Sequence, residues 1–253
     1  MSKEVIINDL VYYDNLKIVQ NKDYFNFSLD SVLLPNFVEL SLKTKNILDL
    51  CTGNAPIPII LSQKTSAKII GVELQNEIYN LAKESIKINN IKNVEILNED
   101  AKNLYHYFET DTFDIITCNP PYFKIHEKSI INDNSVKSIA RHEININLND
   151  IMSISRKLLK NNGSLCLVHR TERLIEVIEK MKENNIEPKR IRFVFPKQNS
   201  NSNLFLIDGR KNGKPGLKLL NPLIVHNEDG SYTDEVLKIF GKWDYDSKKL
   251  WYQ

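Results

Sequence analysis

The chain has 253 residues, of which 42% are hydrophobic and 26% are charged, and its net charge at pH 7 is +2. This composition is typical of a globular protein with a sizeable core and excludes a disordered chain. The small net charge does not by itself indicate a nucleic-acid binder, which normally carries a stronger basic excess.

The three cysteines, Cys51, Cys118 and Cys166, are far apart, and each lies in an apolar stretch. We interpret them as small buried side chains in a reducing compartment. No cysteine or histidine cluster has metal-ligand spacing, so we expect no metal. The first residues lack the apolar core of a signal peptide, and no apolar run is long enough to span a membrane. These features predict a cytoplasmic protein.

Residues 1–45 predict an N-terminal appendage that packs on the core and consists of a hairpin and a helix. Short apolar runs flank a turn signal at Asp14 and Asn15, which favours the hairpin. An apolar run from Val32 then predicts a helix, with Ser28 or Asp30 as its cap.

Residues 46–253 predict one α/β domain in which strands and helices alternate. Asn162 and Gly163 predict the end of one helix, and Thr171 and Thr233 predict the caps of two others. The long polar stretch 123–145 is typical of a lid or binding loop. Strands are predicted at 47–51, 68–73, 94–97, 113–118, 164–168, 189–195 and 203–207.

The alternation predicts a doubly wound, mostly parallel sheet of seven strands. The last two predicted strands are joined without a helix, so we expect the last strand to be antiparallel. In such sheets ligands bind beyond the carboxyl ends of the strands, near the point where the strand order reverses. Candidate site residues are therefore sought at the strand ends.

Acidic residues stand at three successive strand ends: Asp49, which precedes a tight turn at Gly53, then Glu73 and Asp100. Asp49 can accept from a cationic amino group directly or through water, Glu73 can chelate two ribose hydroxyls, and Asp100 can accept from an adenine amine. Together they fit a nucleoside with a charged amino-acid tail and no phosphate, which is the shape of S-adenosyl-L-methionine. Any one of them alone is more often a helix cap or a solvated residue.

The glycine pattern of the turn argues against a pyrophosphate ligand. A dinucleotide-binding turn requires three glycines, and Ala55 occupies the second glycine position here. A nicotinamide-dependent dehydrogenase is therefore the weakest candidate. Pro56 predicts extended backbone at Ala55.

The motif Asn119-Pro120-Pro121-Tyr122 follows the fourth strand directly. It can be a simple proline turn, but its place beside the first strand favours a catalytic role. The Asn119 side-chain oxygen and a backbone carbonyl held by the prolines can accept the two N–H groups of an aromatic amine, while Tyr122 and Phe123 can stack on a base. Because a sulfonium methyl is already activated, positioning can supply most of the catalysis.

These motifs and their flanks resemble the bacterial tRNA1(Val) adenine N6-methyltransferase family over nearly the whole chain. The resemblance implies a Rossmann-like class I methyltransferase fold and methylation of the adenine just 3′ of the anticodon of a valine tRNA. The family pattern has glycine where this sequence has Ala55. The segments that carry the resemblance are FSLDSVLL at 27–34, DLCTGN at 49–54, NPPYF at 119–123, ARHE at 140–143, VHR at 168–170 and GKPG at 213–216.

We accordingly predict three overlapping groups of site residues. The catalytic residues are Asn119, Pro120, Pro121 and Tyr122. The residues that bind S-adenosyl-L-methionine are Asp30, Asp49, Thr52, Gly53, Asn54, Glu73, Leu74, Asp100, Ala101 and Asn119. The residues that bind the tRNA substrate are Asn119, Tyr122, Phe123, Arg141 and His142.

Three further interpretations stay open. The motif also occurs in methylases of rRNA guanine and of protein glutamine, and a non-catalytic RNA-binding protein with a vestigial methyltransferase fold is possible. The stretch with Lys189, Arg190, Arg192 and Lys197 fits a solvated sheet edge or a basic face for an RNA backbone.

We expect a monomer or weak dimer.

Overall fold

The computed structural model of the protein describes residues 5–10, 16–21, 28–120 and 146–241. Its α-helices are α1 (Leu29–Phe37), α2 (Pro56–Ser62), α3 (Asn76–Ile88), α4 (Leu148–Leu158), α5 (Leu174–Glu183) and α6 (Asp234–Ile239). Short 3-10 helices span Ala101–His106 and Thr171–Arg173. The strands are β1 (Val5–Asp9), β2 (Lys17–Asn21), β3 (Asn46–Leu50), β4 (Lys68–Glu73), β5 (Val94–Asn98), β6 (Phe113–Cys118), β7 (Leu159–Arg170), β8 (Ile186–Phe195), β9 (Leu204–Lys211), β10 (Lys218–Leu219) and β11 (Leu223–Ile224).

The central sheet has the order β5-β4-β3-β6-β7-β9-β8 in its seven long strands. Strands β5, β4, β3, β6 and β7 pair in parallel, whereas β9 is antiparallel to both β7 and β8. The prediction of a doubly wound sheet with an antiparallel seventh strand is therefore confirmed. Two strands of two residues each, β10 and β11, pair with β8 and were not predicted.

Helices cover both faces of this sheet, because its parallel strands are buried on both sides. One core cluster joins residues of α1, α2, α3 and α6 to one face of the sheet. The other joins residues of α4, α5 and the 3-10 helix Ala101–His106 to the opposite face. The strand order reverses between β3 and β6, so the edge where these two strands end is the expected ligand site.

The N-terminal hairpin is confirmed, since β1 and β2 pair antiparallel with Val5 opposite Asn21. Its predicted turn residues, Asp14 and Asn15, lie outside the described residues. Helix α1 follows and contacts α2 and β7. The division of the chain at residue 45 stays a prediction.

The predicted helix end at Asn162 and Gly163 is wrong. Helix α4 already ends at Leu158, and strand β7 begins at the next residue. Asn162 has φ 63°, and the pairing of β7 with β6 shifts register between Leu159 and Ser164. The two residues therefore mark an irregularity inside a strand, where a left-handed residue is favourable, and not a helix end.

Thr171 does not cap a helix directly, although it was predicted to. The chain first forms the 3-10 helix Thr171–Arg173, and α5 then begins without a side-chain cap. The Thr171 hydroxyl instead lies 3.1 Å from the Ser202 hydroxyl. Thr233 does cap α6, because its side chain accepts from the Val236 N–H. Among the residues described, no helix combines the length and the apolarity needed to cross a membrane.

Candidate active site

The candidate site lies at the carboxyl ends of β3, β4, β5 and β6, where most of the predicted residues come together. Asp49 of β3 lies between Gly71 of β4 and Thr117 of β6 in the sheet register. Asn119 follows β6 directly. The loop after β3 and the start of the proline motif therefore leave the same edge of the sheet from neighbouring strands.

The loop 51–55 winds tightly through three left-handed residues: Cys51 at φ 56°, Gly53 at φ 59° and Ala55 at φ 70°. Its backbone is fixed by hydrogen bonds from Thr52 N to the Val72 carbonyl and from Ala55 N to the Thr52 carbonyl, each 3.0 Å long. A Cβ atom built on Gly53 would meet no atom of the described residues within 4 Å. Because Gly53 has no side chain, a ligand can approach the backbone of the loop closely at this residue.

The extended geometry predicted for Ala55 is wrong. The effect of Pro56 on its neighbour is outweighed because Ala55 joins the loop to α2, and the Ile59 N–H donates to the Ala55 carbonyl at 3.1 Å. Only a left-handed residue satisfies both the loop and this first helical turn. The position is therefore one that favours glycine.

Asp49 is fully buried, and its two carboxylate oxygens accept hydrogen bonds from different parts of the site. Thr52 Oγ1 donates to Oδ2 and Thr117 Oγ1 donates to Oδ1, each over 2.6 Å. Burial raises the pKa of Asp49 to about 7, although both hydroxyls lower it. With no exposed surface, Asp49 braces the loop against β6 and does not present an oxygen for direct contact with a ligand.

Gly71 makes room for this brace and was not recognised in the sequence. A Cβ atom at Gly71 would lie 2.7 Å from Thr52 Oγ1 and 2.9 Å from Ile96 Cδ1. Such distances are far below van der Waals contact, so any side chain would displace the Thr52 hydroxyl from Asp49. The only signal in the sequence is a glycine inside a predicted strand, which indicates a close approach.

Glu73 lies at the end of β4 and is nearly buried, with 6% of its surface exposed. Its Oε2 accepts from the Gly53 N–H at 3.0 Å, and its Oε1 accepts from the Gln75 N–H at 2.9 Å. Burial raises the pKa of Glu73, while these backbone donors lower it. The next residue, Leu74, is 41% exposed and offers an apolar surface at this edge.

Asp100 follows β5 and caps the 3-10 helix that begins at Ala101. Its Oδ1 accepts from the Lys102 N–H at 2.9 Å, and its Oδ2 lies 3.6 Å from Lys102 Nζ. Asp100 is partly exposed and Ala101 is buried. The cap interpretation therefore holds for Asp100, and a contact with an adenine remains a prediction.

Asn119 is held by α1, a contact that the sequence did not reveal. Its Nδ2 donates to Ser31 Oγ at 3.1 Å, and Ser31 is buried together with Asp30 in the first turn of α1. Pro120 is buried beside it. Five other predicted site residues lie outside the described residues: Pro121, Tyr122, Phe123, Arg141 and His142.

The hairpin also reaches the site. Asn54 Nδ2 donates to the carbonyl of Val19 in β2 at 3.2 Å, and the Val19 N–H donates to Ser85 Oγ of α3 at 2.9 Å. Strand β2 therefore connects the loop 51–55 to α3. The predicted cofactor residue Asn54 thus has a structural partner.

His169, at the end of β7, has 1% of its surface exposed and stacks on Phe205 with 6.4 Å between ring centroids. Burial lowers the pKa of His169 to about 4, and its Nδ1 accepts from the Arg170 N–H at 2.8 Å. The imidazole is consequently neutral at pH 7 and serves the packing of β7 against β9.

Comparison with known proteins shows the family to which the chain is similar. A family model described as "Methyltransferase domain" matches residues 41–214. A protein of Parabacteroides distasonis named tRNA1(Val) (adenine(37)-N6)-methyltransferase is 26% identical over 189 residues, which cover 75% of this chain and 78% of that protein. A protein of the same name from Haemophilus influenzae is also 26% identical, over 90% of this chain and 94% of its own.

The fold has solved counterparts. The crystal structure of a predicted O-methyltransferase from Agrobacterium tumefaciens superimposes with a TM-score of 0.67 at 17% identity. The match covers 84% of this chain and 96% of that one. It supports the Rossmann-like architecture described above.

Proposed function

The chain belongs to the methyltransferase domain family, and we propose that it transfers a methyl group from S-adenosyl-L-methionine to the N6 amine of an adenine in tRNA. The proposed target is the adenine just 3′ of the anticodon of a valine tRNA. The observation that carries this proposal is the position of Asn119, which directly follows β6 beside the loop 51–55 and is oriented by Ser31. The relatives that match most of the chain supply the choice of tRNA.

The residues at the strand ends fit S-adenosyl-L-methionine. The open space over Gly53 accepts a ligand close to the backbone, and the exposed Leu74 provides an apolar face for an adenine ring. Glu73 and Asp100 are the carboxylates available for ribose hydroxyls and the adenine amine, while Asp49 holds the loop in place through Thr52. When bound, the sulfonium supplies an electrophilic methyl group.

Asn119 prepares the acceptor. The hydrogen bond from Asn119 Nδ2 to Ser31 fixes the orientation of the carboxamide group. The side-chain oxygen of Asn119 consequently lies on the side of the group that faces away from Ser31. We propose that this oxygen accepts one N–H of the adenine amine, so that the nitrogen becomes pyramidal and its lone pair turns toward the methyl group. This positioning removes the need for a strong general base. A base in an anticodon loop is largely unpaired, so bringing it into the site costs less than extruding it from a duplex.

The experiment is methylation of separated tRNA, rRNA and protein fractions by the purified protein with labelled S-adenosyl-L-methionine, followed by mass spectrometry of the products. We expect N6-methyladenosine in tRNA only. Modified guanine in rRNA or modified glutamine in protein would support the other methylases, and failure to bind S-adenosyl-L-methionine in calorimetry would support a non-catalytic module.

The matched variant is Asn119→Ala, which we expect to abolish transfer while the affinity for S-adenosyl-L-methionine stays close to that of the wild type. Asn46→Ala is its control, because Asn46 begins β3 at the opposite edge of the sheet. Turnover of Asn119→Ala at the wild-type rate would contradict the proposed role of Asn119. We also propose that the protein is cytoplasmic and that it is a monomer or weak dimer. Sedimentation of the purified protein can test the oligomeric state.

A further inference from the structure

The loop 196–203 lies on the same edge of the sheet as Asn119. It leaves the carboxyl end of β8 and enters β9, which pairs antiparallel with β7 so that Leu204 lies opposite Arg170. Since β9 and β8 are the second and third strands from β6, and strands lie about 5 Å apart, the loop is roughly 10–15 Å from the end of β6. This distance suits contacts with neighbours of the acceptor base.

The backbone of the loop is fixed by its serines. Ser200 Oγ accepts from the Lys197 N–H at 3.0 Å and donates to the Lys197 carbonyl at 2.7 Å. Ser202 Oγ lies 2.9 Å from the Val194 and Leu204 carbonyls, and the Thr171 N–H donates to the Asn203 carbonyl at 3.2 Å. The backbone of the loop is therefore fixed, and its other side chains project from defined positions. A partner that binds to them does not have to order the loop backbone first.

Those other side chains are amides and one cation. Gln198, Asn199, Asn201 and Asn203 are all exposed, and their side chains make no hydrogen bond within the part of the chain that the structure describes. Lys197 Nζ donates to the carbonyl oxygen of Glu228 at 3.1 Å, and its charge also helps to lower the pKa of the neighbouring Asp229 carboxyl, although the two form no direct ion pair. The loop thus offers several donors and acceptors together with a positive charge.

The two arginines of this stretch are held in ion pairs. Arg190 pairs with Asp208 and Glu39, and Arg192 pairs with Glu235, so both stabilise the fold. Of the basic face predicted from the sequence, only Lys197 therefore remains at the edge of the sheet where Asn119 lies. Between Glu187 and Asp208 the chain carries no acidic residue, so the loop itself has no negative charge, and the nearest acidic residue that interacts with Lys197 is Asp229.

We propose that the loop 196–203 binds the single-stranded RNA nucleotides that flank the acceptor adenine, an inference that rests on the proposed function. Amide side chains match this partner because each carries a donor and an acceptor, as the edges of unpaired bases do. Sequence-specific recognition of RNA mostly uses such unpaired bases. Lys197 supplies a contact with one backbone phosphate.

The test measures binding and turnover separately for the variant Lys197→Ala/Gln198→Ala/Asn199→Ala. Its control is Lys43→Ala/Gln63→Ala, which removes an exposed cation and an exposed amide at the opposite edge of the sheet. The probe for binding is a fluorescent anticodon stem-loop RNA, titrated without S-adenosyl-L-methionine. Turnover is measured with full-length tRNA.

We expect the loop variant to bind the RNA about tenfold more weakly and to show a similar rise in KM for tRNA, with kcat within about twofold of the wild type. The slope of log K against log salt should fall by about 0.7, because one phosphate contact is lost. Affinity for S-adenosyl-L-methionine and the melting temperature should match the wild type.

Unchanged RNA affinity in the loop variant, or an equal loss in the control, would overturn the inference. The inference would also be overturned if the loop variant lost activity on a protein substrate while it bound the RNA as tightly as the wild type. If the wild type binds the RNA through this loop but methylates no tRNA, the proposed function fails while the RNA-binding surface stands.

Discussion

Asn119 and Ser31 are joined by a hydrogen bond of 3.1 Å between side chains that are 88 residues apart in the sequence. Helix α1 thereby orients the amide that we assign to the methyl acceptor. Because the serine touches the carboxamide and not the substrate, we treat Ser31 as a positioning residue.

Ser31→Ala should lower kcat by about threefold to tenfold, which corresponds to the loss of one ordinary hydrogen bond. The KM for S-adenosyl-L-methionine should stay unchanged, since the loop 51–55 is not affected. Steady-state kinetics check this, with Ser62→Ala, in a helix end remote from Asn119, as the control. A rise in KM without a change in kcat would show that Ser31 has a different role.

The carboxyl group of Asp49 makes stability depend on pH. Its pKa of about 7 in the folded protein lies above the value of 3.8 expected for an unfolded chain. Between these values the folded state binds the extra proton, so the contribution of this group to stability falls as the pH rises from about 4 to about 7. Relative to Asp49→Asn, the wild type should lose roughly 2–3 kcal/mol of unfolding free energy between pH 5 and pH 8.

Urea unfolding of both proteins at several pH values measures this difference. Comparing the two proteins cancels the contributions of groups that do not interact with Asp49, whereas Glu73, which helps to raise the pKa of Asp49, remains coupled to it. Parallel stability curves over this range would contradict the assignment to Asp49.

Gly71→Ala should destabilise the protein by roughly 1–3 kcal/mol, because the new methyl group overlaps Thr52 Oγ1. It should also weaken S-adenosyl-L-methionine binding, since Thr52 can no longer hold the loop on Asp49. In a Thr52→Ala background the cost of Gly71→Ala should be smaller, and a double-mutant cycle from chemical denaturation measures the coupling. Additive costs would mean that the clash with Thr52 is not the cause.

Gly53→Ala separates ligand binding from backbone strain. A side chain at φ 59° costs about 1–2 kcal/mol, and within the described part of the chain no atom lies within 4 Å of the added Cβ. Gly230→Ala introduces comparable strain at φ 86°, again without a neighbour, in a turn far along the chain. We expect similar losses of stability in both variants, but a tenfold or greater loss of S-adenosyl-L-methionine affinity only in Gly53→Ala. Calorimetry and thermal unfolding distinguish the two effects, and equal affinities would place the ligand elsewhere.

The sequence predicted those features that depend on local pattern. Strands β4 and β6 have the predicted bounds, and Thr233 caps α6 as predicted, because apolar runs and capping residues act over a few positions. Asp49 and Glu73 were found because strand ends in a parallel sheet must meet at one edge. The two-residue strands β10 and β11 were not predicted because two residues are too few to show the alternation of apolar and polar side chains that indicates a strand.

Features that depend on distant partners were not predictable. Ser31 acquires its role from Asn119, and Thr117 acquires its role from Asp49, 68 residues earlier. Thr171 fails as a direct cap because its hydroxyl is engaged by Ser202, 31 residues later. In each case a hydrogen bond within the folded core decides the outcome, and no local pattern encodes it.

The brace on Asp49 has a consequence for the order in which the protein is made. Asp49, Glu73 and Asp100 all leave the ribosome before Thr117, the second donor to the Asp49 carboxylate. At synthesis rates of about 5–20 residues per second, the 68 residues from Asp49 to Thr117 require several seconds or more. During that interval the nascent chain already carries the acidic residues near the ends of β3, β4 and β5, but the loop 51–55 lacks its anchor on β6. We therefore expect S-adenosyl-L-methionine to stabilise the fold only late in translation, after β6 has been made. It should not assist the folding of the first half of the domain.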